Sequence, residues 1–239
     1  MVMRKFNIMV VAGLLLCVSC IPATKFRVPG FVSEYLTLEN NNEVSTVKCC
    51  VENGVLSLIF NPVGDAVGVD DYYFNGGKNS EYYRFCKKFN DLYYNQKVSL
   101  VEGYMPYTNC FYVVSDVVTD IIIVSDDDWN GKYVSGTLLN ELFSFKYYTV
   151  YPYIESRYKS DKVITEVDKP LPDISSSYLK MMMYEDVNNG HRLPSDWEAP
   201  AFLKLCTDKL PDNPVQSLHI TLTTDDGRKL EYSVELDLR

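Results

Sequence analysis

Positive charge is scarce in this chain. Its 239 residues include 23 lysines and arginines against 32 aspartates and glutamates, so the formal net charge is −9. A protein that binds nucleic acid needs a basic face that displaces counterions from phosphate groups. The sequence therefore predicts no nucleic-acid partner.

Catalytic and cofactor-binding motifs are missing as well. The chain has two histidines and contains no G-x-S-x-G turn, no H-E-x-x-H motif, no phosphate-binding glycine loop and no dinucleotide-binding pattern. His219 alternates with apolar neighbours and should lie on the polar face of a strand, whereas His191 follows an Asn-Asn-Gly turn. We predict a non-enzymatic protein without a cofactor. A glycan hydrolase is the alternative, because two acidic residues from distant strands need not form a motif.

An apolar run long enough to span a membrane is also missing. Arg4 and Lys5 precede an apolar run of eleven residues, 8–18, whereas a spanning helix needs about 20. A short cationic start followed by such a run is typical of a secretory signal peptide. Small residues directly before Cys20 resemble the bacterial lipobox, so we predict a lipoprotein signal peptide over 1–19 and lipid attachment to Cys20. Several acyl chains would hold the body firmly on a membrane.

Five cysteines follow the signal region, and none of them forms a C-x-x-C motif. Two disulfides and one free thiol could be paired in several ways, and sequence alone does not choose among them. Reduced cysteines packed in a core are the alternative. The five residues are Cys49, Cys50, Cys86, Cys110 and Cys206.

Strand signals dominate the rest of the chain. The last 22 residues alternate apolar and polar side chains over 218–223 and 230–238, around an Asp-Asp-Gly turn, and this pattern predicts a terminal β-hairpin. Runs of β-branched and aromatic residues predict further strands. They span 55–60, 110–114, 117–124, 146–154 and 178–184.

Two segments have a helical pattern. Residues 80–96 place aromatic and aliphatic side chains on one stripe, with Asn79 or Ser80 as a possible cap, and 137–143 predict a short helical turn. Many strands with few helices predict a mainly β fold, an antiparallel immunoglobulin-like β-sandwich with one or two short helices. We expect residues 20–45 to be the lipidated cysteine and a tether, and 46–239 to be a single domain.

An acidic turn offers a candidate metal site. Asp126, Asp128 and Asn130 match the start of a calcium loop, in which alternate oxygens converge on the ion and a glycine permits the bend. The twelfth loop position is Thr137 and not the usual glutamate. The sequence thus predicts a possible calcium site, and the alternative is a turn that closes a strand, since Asp, Asn and Gly favour turns.

Tyrosine is abundant, with 19 residues, and several of them are adjacent in sequence. Neighbours in a strand point to opposite faces, so one tyrosine of each pair could pack while the other meets solvent. Exposed rings with a hydroxyl suit a sugar or a protein partner, and the alternative is that the rings fill the sandwich core and favour strand structure. The pairs are Tyr72–Tyr73, Tyr82–Tyr83, Tyr93–Tyr94 and Tyr147–Tyr148.

Four motifs follow one another along the chain, namely the Ser-Cys lipobox, the segments 121–128 and 136–143, and the closing Asp-Asp-Gly hairpin. In this order they resemble the motifs of the uncharacterised envelope lipoproteins of Bacteroidota. The resemblance implies a lipid-anchored sandwich of the bacterial outer membrane. Surface-displayed members tend to carry acidic residues directly after the lipidated cysteine, whereas 21–25 here has none. A periplasm-facing location is therefore expected.

We accordingly expect a membrane-anchored envelope lipoprotein that acts as a non-catalytic binding or structural module and contacts protein or glycan. An alternative is a soluble secreted protein, directed at a host or a virus and released without lipid. The chain has no N-x-Ser/Thr sequon, which counts against a eukaryotic secretory origin.

Overall fold

The computed structural model describes residues 24–39, 47–61, 64–94, 96–100, 111–184 and 201–239. Of the described residues, 41% lie in strands and 18% in helices, so the predicted mainly β class is confirmed. The strands are β1 (Thr24–Val28), β2 (Glu34–Leu36), β3 (Val47–Glu52), β4 (Val55–Phe60), β5 (Ala66–Gly68), β6 (Gln96–Leu100), β7 (Tyr112–Val114), β8 (Val118–Ser125), β9 (Ser144–Thr149), β10 (Thr165–Pro170), β11 (Leu203–Thr207), β12 (Val215–Thr224) and β13 (Lys229–Asp237).

Short helices connect the strands. Where one or two were expected, the described residues contain four α-helices and three 3₁₀ turns. The α-helices are α1 (Val69–Phe74), α2 (Glu81–Lys88), α3 (Tyr151–Glu155) and α4 (Ile174–Ser177), and the 3₁₀ turns are Gly77–Asn79, Asn140–Leu142 and Leu171–Asp173.

Two antiparallel sheets form a sandwich. One has five strands in the order β10-β9-β11-β4-β3, and the other has three in the order β13-β12-β8. A mixed sheet, β5-β2-β7, and a two-stranded sheet, β1-β6, complete the described strands. Antiparallel pairing dominates as predicted, and β2 with β7 is a parallel pair. The immunoglobulin-like assignment stays a prediction.

The main core lies between the two antiparallel sheets. Leu56, Leu58 and Phe60 alternate along β4 and are completely buried, as alternation in a strand with one inward face requires. The Phe60 ring meets Tyr232 of β13 edge to face, with ring centroids 5.2 Å apart. Truncating a buried leucine such as Leu58 in a core of this kind costs about 2–5 kcal/mol.

A second core cluster covers the opposite face of β9 and is rich in aromatic rings. Tyr148 and Val150 point into it, whereas Phe145 and Tyr147 point into the main core. Other members of this cluster come from three segments, 29–35, helix α2 and 113–117. Examples are Phe31, Tyr82 and Val113. The end of β9 from Tyr147 to Thr149 is therefore buried on both faces.

The predicted tether is wrong for residues 24–38. Residues 24–28 form β1 and 34–36 form β2, and Phe31, Val32 and Tyr35 are buried. Strand pairing holds β1 and β2, and between them Asp91, which is completely buried, accepts hydrogen bonds from the backbone amides of Phe31 and Val32. Burial raises the pKa of Asp91, and these bonds oppose that shift.

Two further hydroxyls complete the surroundings of Asp91. Tyr35 Oη donates to Asp91 Oδ2 over 3.1 Å, and Tyr158 Oη donates to Oδ1 over 2.5 Å. Four donor groups therefore replace the water that a carboxylate would otherwise bind. No composition pattern marked Asp91 for this role, because its partners lie far away in sequence.

Several predicted strands are confirmed. The strand 55–60 coincides with β4, 117–124 matches β8 within one residue, and the terminal hairpin is β12–β13. Gly227 has a φ of +84° in the hairpin turn, a conformation that glycine adopts without steric cost. For 110–114, the structure describes strand only from Tyr112.

Two predicted strands are wrong in part. The run 146–154 leaves the strand after Thr149 and forms α3, because Pro152 lies in the first helical turn, where a missing N–H costs nothing. The run 178–184 forms only isolated bridges, at Leu179, Met182 and Met183. Met181 has a φ of +49°, which breaks the regular alternation of a strand.

The predicted helices are shorter than expected. Ser80 caps α2 as predicted, since its Oγ accepts the Tyr83 amide over 3.2 Å. The helix ends at Lys88 and not at residue 96, because Asn90 adopts a φ of +60° and Asp91 turns inward. Of the segment 137–143, only Asn140–Leu142 is helical, as a 3₁₀ turn.

A charged cluster at the tip of the terminal hairpin joins that hairpin to the segments beside it. The Arg228 guanidinium donates to the Leu38 carbonyl over 2.8 Å and pairs with Asp116 and Asp226. Asp116 is buried and also accepts the Leu38 amide over 2.6 Å. Burial raises the pKa of Asp116, opposed by the Leu38 amide and by Arg228. We call this set the Arg228 cluster.

Candidate functional site

A cleft of about 340 Å³ opens beside the edge of the five-stranded sheet. Its floor is formed by β9 and β10, where Val167 lies directly opposite Tyr147 in the antiparallel register. Thr149 and Lys169 are two residues further along their strands and share that face. The volume is at the lower end of the range for small-molecule sites.

The rim of the cleft comes from α3 and from the segment around α4. Tyr151 and Pro152 begin α3, and Ser175, Tyr178 and Lys180 approach from the other side. We refer to the floor and rim together as the tyrosine cleft. It combines three tyrosines with two lysines, and no acidic residue is among the described residues that line it.

Thr149 holds the two sides of the rim in place. Its Oγ1 donates to the Lys180 carbonyl over 2.7 Å and accepts the Tyr151 amide over 3.0 Å. Thr149 is buried, so water does not compete strongly for these bonds. One hydroxyl therefore fixes the backbone of both Tyr151 and Lys180.

The positions of Tyr151 and Lys180 bring a cation over an aromatic ring. Lys180 Nζ lies 4.7 Å from the centroid of the Tyr151 ring, a cation–π distance. Tyr151 Oη donates to Glu155 Oε1 over 3.1 Å, which orients the ring. Among the described residues, no carboxylate forms an ion pair with Lys180.

The other tyrosines of the cleft differ in exposure. Tyr178 is 44% exposed, whereas Tyr147 is almost completely buried. Burial raises the pKa of Tyr147 to about 12, so its phenol stays protonated at neutral pH. The cleft therefore offers an accessible ring, hydroxyl groups and an ammonium group within one small volume. Such a surface suits a polar ring-shaped ligand, because the rings stack and the polar groups give orientation.

A second cleft, of about 260 Å³, has the opposite charge. It lies at β5 and α1 and is lined by Asp70, Asp71 and Glu81 beside the exposed Phe74. These carboxylates already have partners within the fold. Asp71 accepts the Tyr82 amide over 2.9 Å, and Glu81 pairs with Arg84. We call this region the acidic cleft. Its carboxylates lie in the first turns of α1 and α2, where negative charge stabilises a helix.

The candidate calcium ligands bind other groups of the protein. Asp126 Oδ2 lies 2.7 Å from His219 Nε2, and Asp128 Oδ1 accepts the Ser135 amide. Asn130 Oδ1 accepts two amides of its own loop, those of residues 132 and 133. In the described part of the chain, no three His, Cys, Asp or Glu side chains are grouped to hold a metal ion. The calcium site stays a prediction.

His219 lies on the exposed face of β12, as its alternation predicted. The structure adds a contact that the sequence did not reveal, since His219 Nδ1 lies 3.2 Å from Ser233 Oγ while Nε2 faces Asp126. The imidazole is 49% exposed and the Asp126 side chain 61%. This group sits on an open sheet face and outside both clefts. His191 lies outside the described residues.

The four described cysteines are unpaired. Cys50 and Cys206 both lie opposite Ser57, on the strands either side of it. Two strand spacings amount to about 9.5 Å, which exceeds the Cα separation of about 7 Å that a disulfide tolerates. Burial and the nearby Cys50 raise the pKa of Cys49 to about 11. Cys110 and Cys20 lie outside the described residues.

The tyrosine pairs are placed differently from the expectation. Tyr147 and Tyr148 do occupy opposite faces of a strand, but both are buried, because β9 has a core cluster on each side. The pairs 72–73 and 82–83 lie in helices α1 and α2, so strand alternation does not apply to them. Tyr93 is 52% exposed, with the Arg157 guanidinium 5.2 Å from its ring.

Sequence reasoning missed the residues of the cleft rim. Tyr151 lay inside one predicted strand, and Tyr178 and Lys180 lay inside another. Pro152 was the signal that a helix begins there. No local signal indicated that Lys180 packs beside the end of β9, where its carbonyl accepts the Thr149 hydroxyl.

Within the described residues, no helix is both long and apolar enough to cross a membrane. Comparisons with protein-family models, with curated proteins and with solved structures gave no match.

Proposed function

We propose that this protein is a lipid-anchored envelope lipoprotein of the bacterial outer membrane, facing the periplasm, whose β-sandwich binds a glycan in the tyrosine cleft without catalysing a reaction. The binding half of the proposal rests on one observation. An accessible tyrosine, Tyr178, and a cation–π pair, Tyr151 with Lys180, line the same cleft.

The anchoring half of the proposal rests on the sequence around Cys20. Three residues separate Cys20 from the start of β1 at Thr24, and the four extended steps from Cys20 to Thr24 span about 14 Å. A lipid on Cys20 would hold the sandwich close to the membrane surface. Without residues 1–19, which contain Arg4 and Lys5, the body has 21 basic and 32 acidic side chains, and its net charge of −11 would not itself attract it to anionic lipids.

A glycan array with purified protein tests the binding half. We expect wild-type protein to bind at least one oligosaccharide class and Tyr178→Ala to bind it about tenfold more weakly, since an aromatic anchor of this kind carries much of the binding free energy. Tyr93→Ala is the matched control, because Tyr93 is similarly exposed and also has a cation beside its ring. Equal binding by wild type and Tyr178→Ala, or no binding by either, would refute a glycan site in this cleft.

Intact-mass analysis of the mature N-terminus tests the anchoring half. A diacylglyceryl adduct that is present in the wild type and absent in Cys20→Ser is the expected result. An unmodified terminus in the wild type would instead support the soluble secreted protein.

A further inference from the structure

The charge of the tyrosine cleft differs from that of the whole molecule. Acidic residues outnumber basic ones by 32 to 23 along the chain, yet the charged residues that line the cleft are lysines, Lys169 and Lys180. The acidic cleft shows that the fold can also line a cavity with carboxylates. A cleft that concentrates cations on an anionic protein favours an anionic ligand.

Lys180 is the residue best placed to contact such a ligand. Its ammonium group lies over the Tyr151 ring, and none of the ion pairs of the described chain includes it. An ammonium group has three N–H donors, and a contact with a ring face directs at least one of them at the ring, so up to two can reach an anion. A carboxylate would form a charge-assisted hydrogen bond there, which is about twice as strong as a neutral one.

The rigidity of the rim strengthens this assignment. The Thr149 hydroxyl holds the Lys180 carbonyl and the Tyr151 amide together. The backbone that carries the cation is therefore ordered before a ligand arrives, which lowers the entropic cost of binding.

We infer that the ligand of the tyrosine cleft is an acidic glycan, whose carboxylate meets Lys180 while a sugar ring stacks on Tyr178. This inference rests on the proposed function, since it names the substrate class of the same site. Lys180 is then the residue that distinguishes an acidic sugar from a neutral one.

Calorimetric titration with charge-matched probes tests the inference. The probes are trisaccharides of galacturonate, mannuronate and guluronate, each compared with its methyl ester, which is neutral. We expect wild-type protein to bind at least one acid about tenfold more tightly than its ester, and Lys180→Gln to bind both forms equally. Lys180→Arg should keep the preference, and Lys87→Gln, which removes an exposed lysine from α2, should leave it unchanged.

The outcomes separate the inference from the proposed function. If acids and esters bind equally, and Tyr178→Ala weakens both, the inferred charge selectivity is wrong while the glycan site stands. The same holds if neutral glycans on the array bind and no acid does. If Lys180→Gln keeps the preference for the acid with unchanged near-ultraviolet circular dichroism, Lys180 is not the determinant. Absence of all binding tighter than about 10 mM refutes the proposed function together with the inference.

Discussion

Arg228 and Lys180 are two cations of the same sandwich with opposite surroundings. Arg228 contacts two carboxylates and a backbone carbonyl, and one of those carboxylates, Asp116, is buried. Lys180 has the Tyr151 ring beneath it and no ion pair within the described chain. The first cation is satisfied by the fold, and the second is presented at the rim of a cleft.

This difference distinguishes charged side chains that stabilise the fold from charged side chains that are available to bind a ligand. Removing a cation that neutralises a buried carboxylate destabilises the protein, whereas removing one from an open rim changes mainly what can bind. The acidic cleft follows the same rule, because Asp71 already accepts the Tyr82 amide in the first turn of α2 and Glu81 already pairs with Arg84. Cleft charge alone is thus a poor guide to a ligand site.

The largest effect is expected from Arg228→Ala. It leaves the Asp116 carboxylate buried, with the Leu38 amide as the remaining donor in the described part of the chain, and should lower the free energy of unfolding by about 2 kcal/mol. Urea denaturation followed by tyrosine fluorescence measures this change. Arg84→Ala, which breaks an exposed ion pair with Glu81, is the control and should cost under about 0.5 kcal/mol. Equal losses of unfolding free energy in the two variants would show that Arg228 is no more important for stability than an exposed arginine.

A smaller loss of stability is expected from Thr149→Val, and this substitution should also change ligand binding in the tyrosine cleft. Loss of the hydroxyl leaves the Lys180 carbonyl and the Tyr151 amide without this partner, at a cost of about 1 kcal/mol. The preference for an acidic over an ester glycan should fall as well, because the cation is less well positioned. Thr149→Ser keeps the hydroxyl and should retain the preference. A Thr149→Val protein with full selectivity would show that Lys180 needs no such support.

The ion pairs of the Arg228 cluster should make the free energy of unfolding depend on pH in the acid range. Hydrogen bonds from the Thr224 hydroxyl and from Arg228 lower the pKa of Asp226 from 3.8 to about 2. Its contribution to stability is therefore complete above about pH 4 and is lost as pH falls towards 2. Because Asp226 is largely exposed, this contribution should be under about 1 kcal/mol. Asp226→Asn should flatten the acid limb of the stability curve, and an unchanged limb would contradict the assignment.

The smallest effect on stability is expected from Lys180→Gln. The free energy of unfolding should change by less than about 0.5 kcal/mol, because the ammonium group has no buried partner. Thermal denaturation of the variant beside the wild type measures this. A large loss would place Lys180 with Arg228 among the structural cations.

Local patterns predicted the parts of the fold that depend on neighbours in sequence. The hairpin around Gly227, the strand 55–60 and the Ser80 cap follow from alternation, turn chemistry and capping. The cleft could not be predicted in this way, because it forms where the segment of Tyr178 and Lys180 packs beside the end of β9. The Thr149 hydroxyl and the Lys180 carbonyl that join there are about thirty residues apart in sequence. The same applies to Phe31 and Val32, whose backbone amides are held by Asp91, about sixty residues away.

The most direct test of the glycan site is a residue-specific fluorine signal. 3-Fluorotyrosine would be placed at position 178 or, in a separate sample, at position 93, and the uronate trisaccharides titrated into each. We predict a saturable change in the ¹⁹F shift at position 178 and none at 93. Equal shifts at both positions, or a constant signal at 178 while calorimetry reports binding, would contradict it.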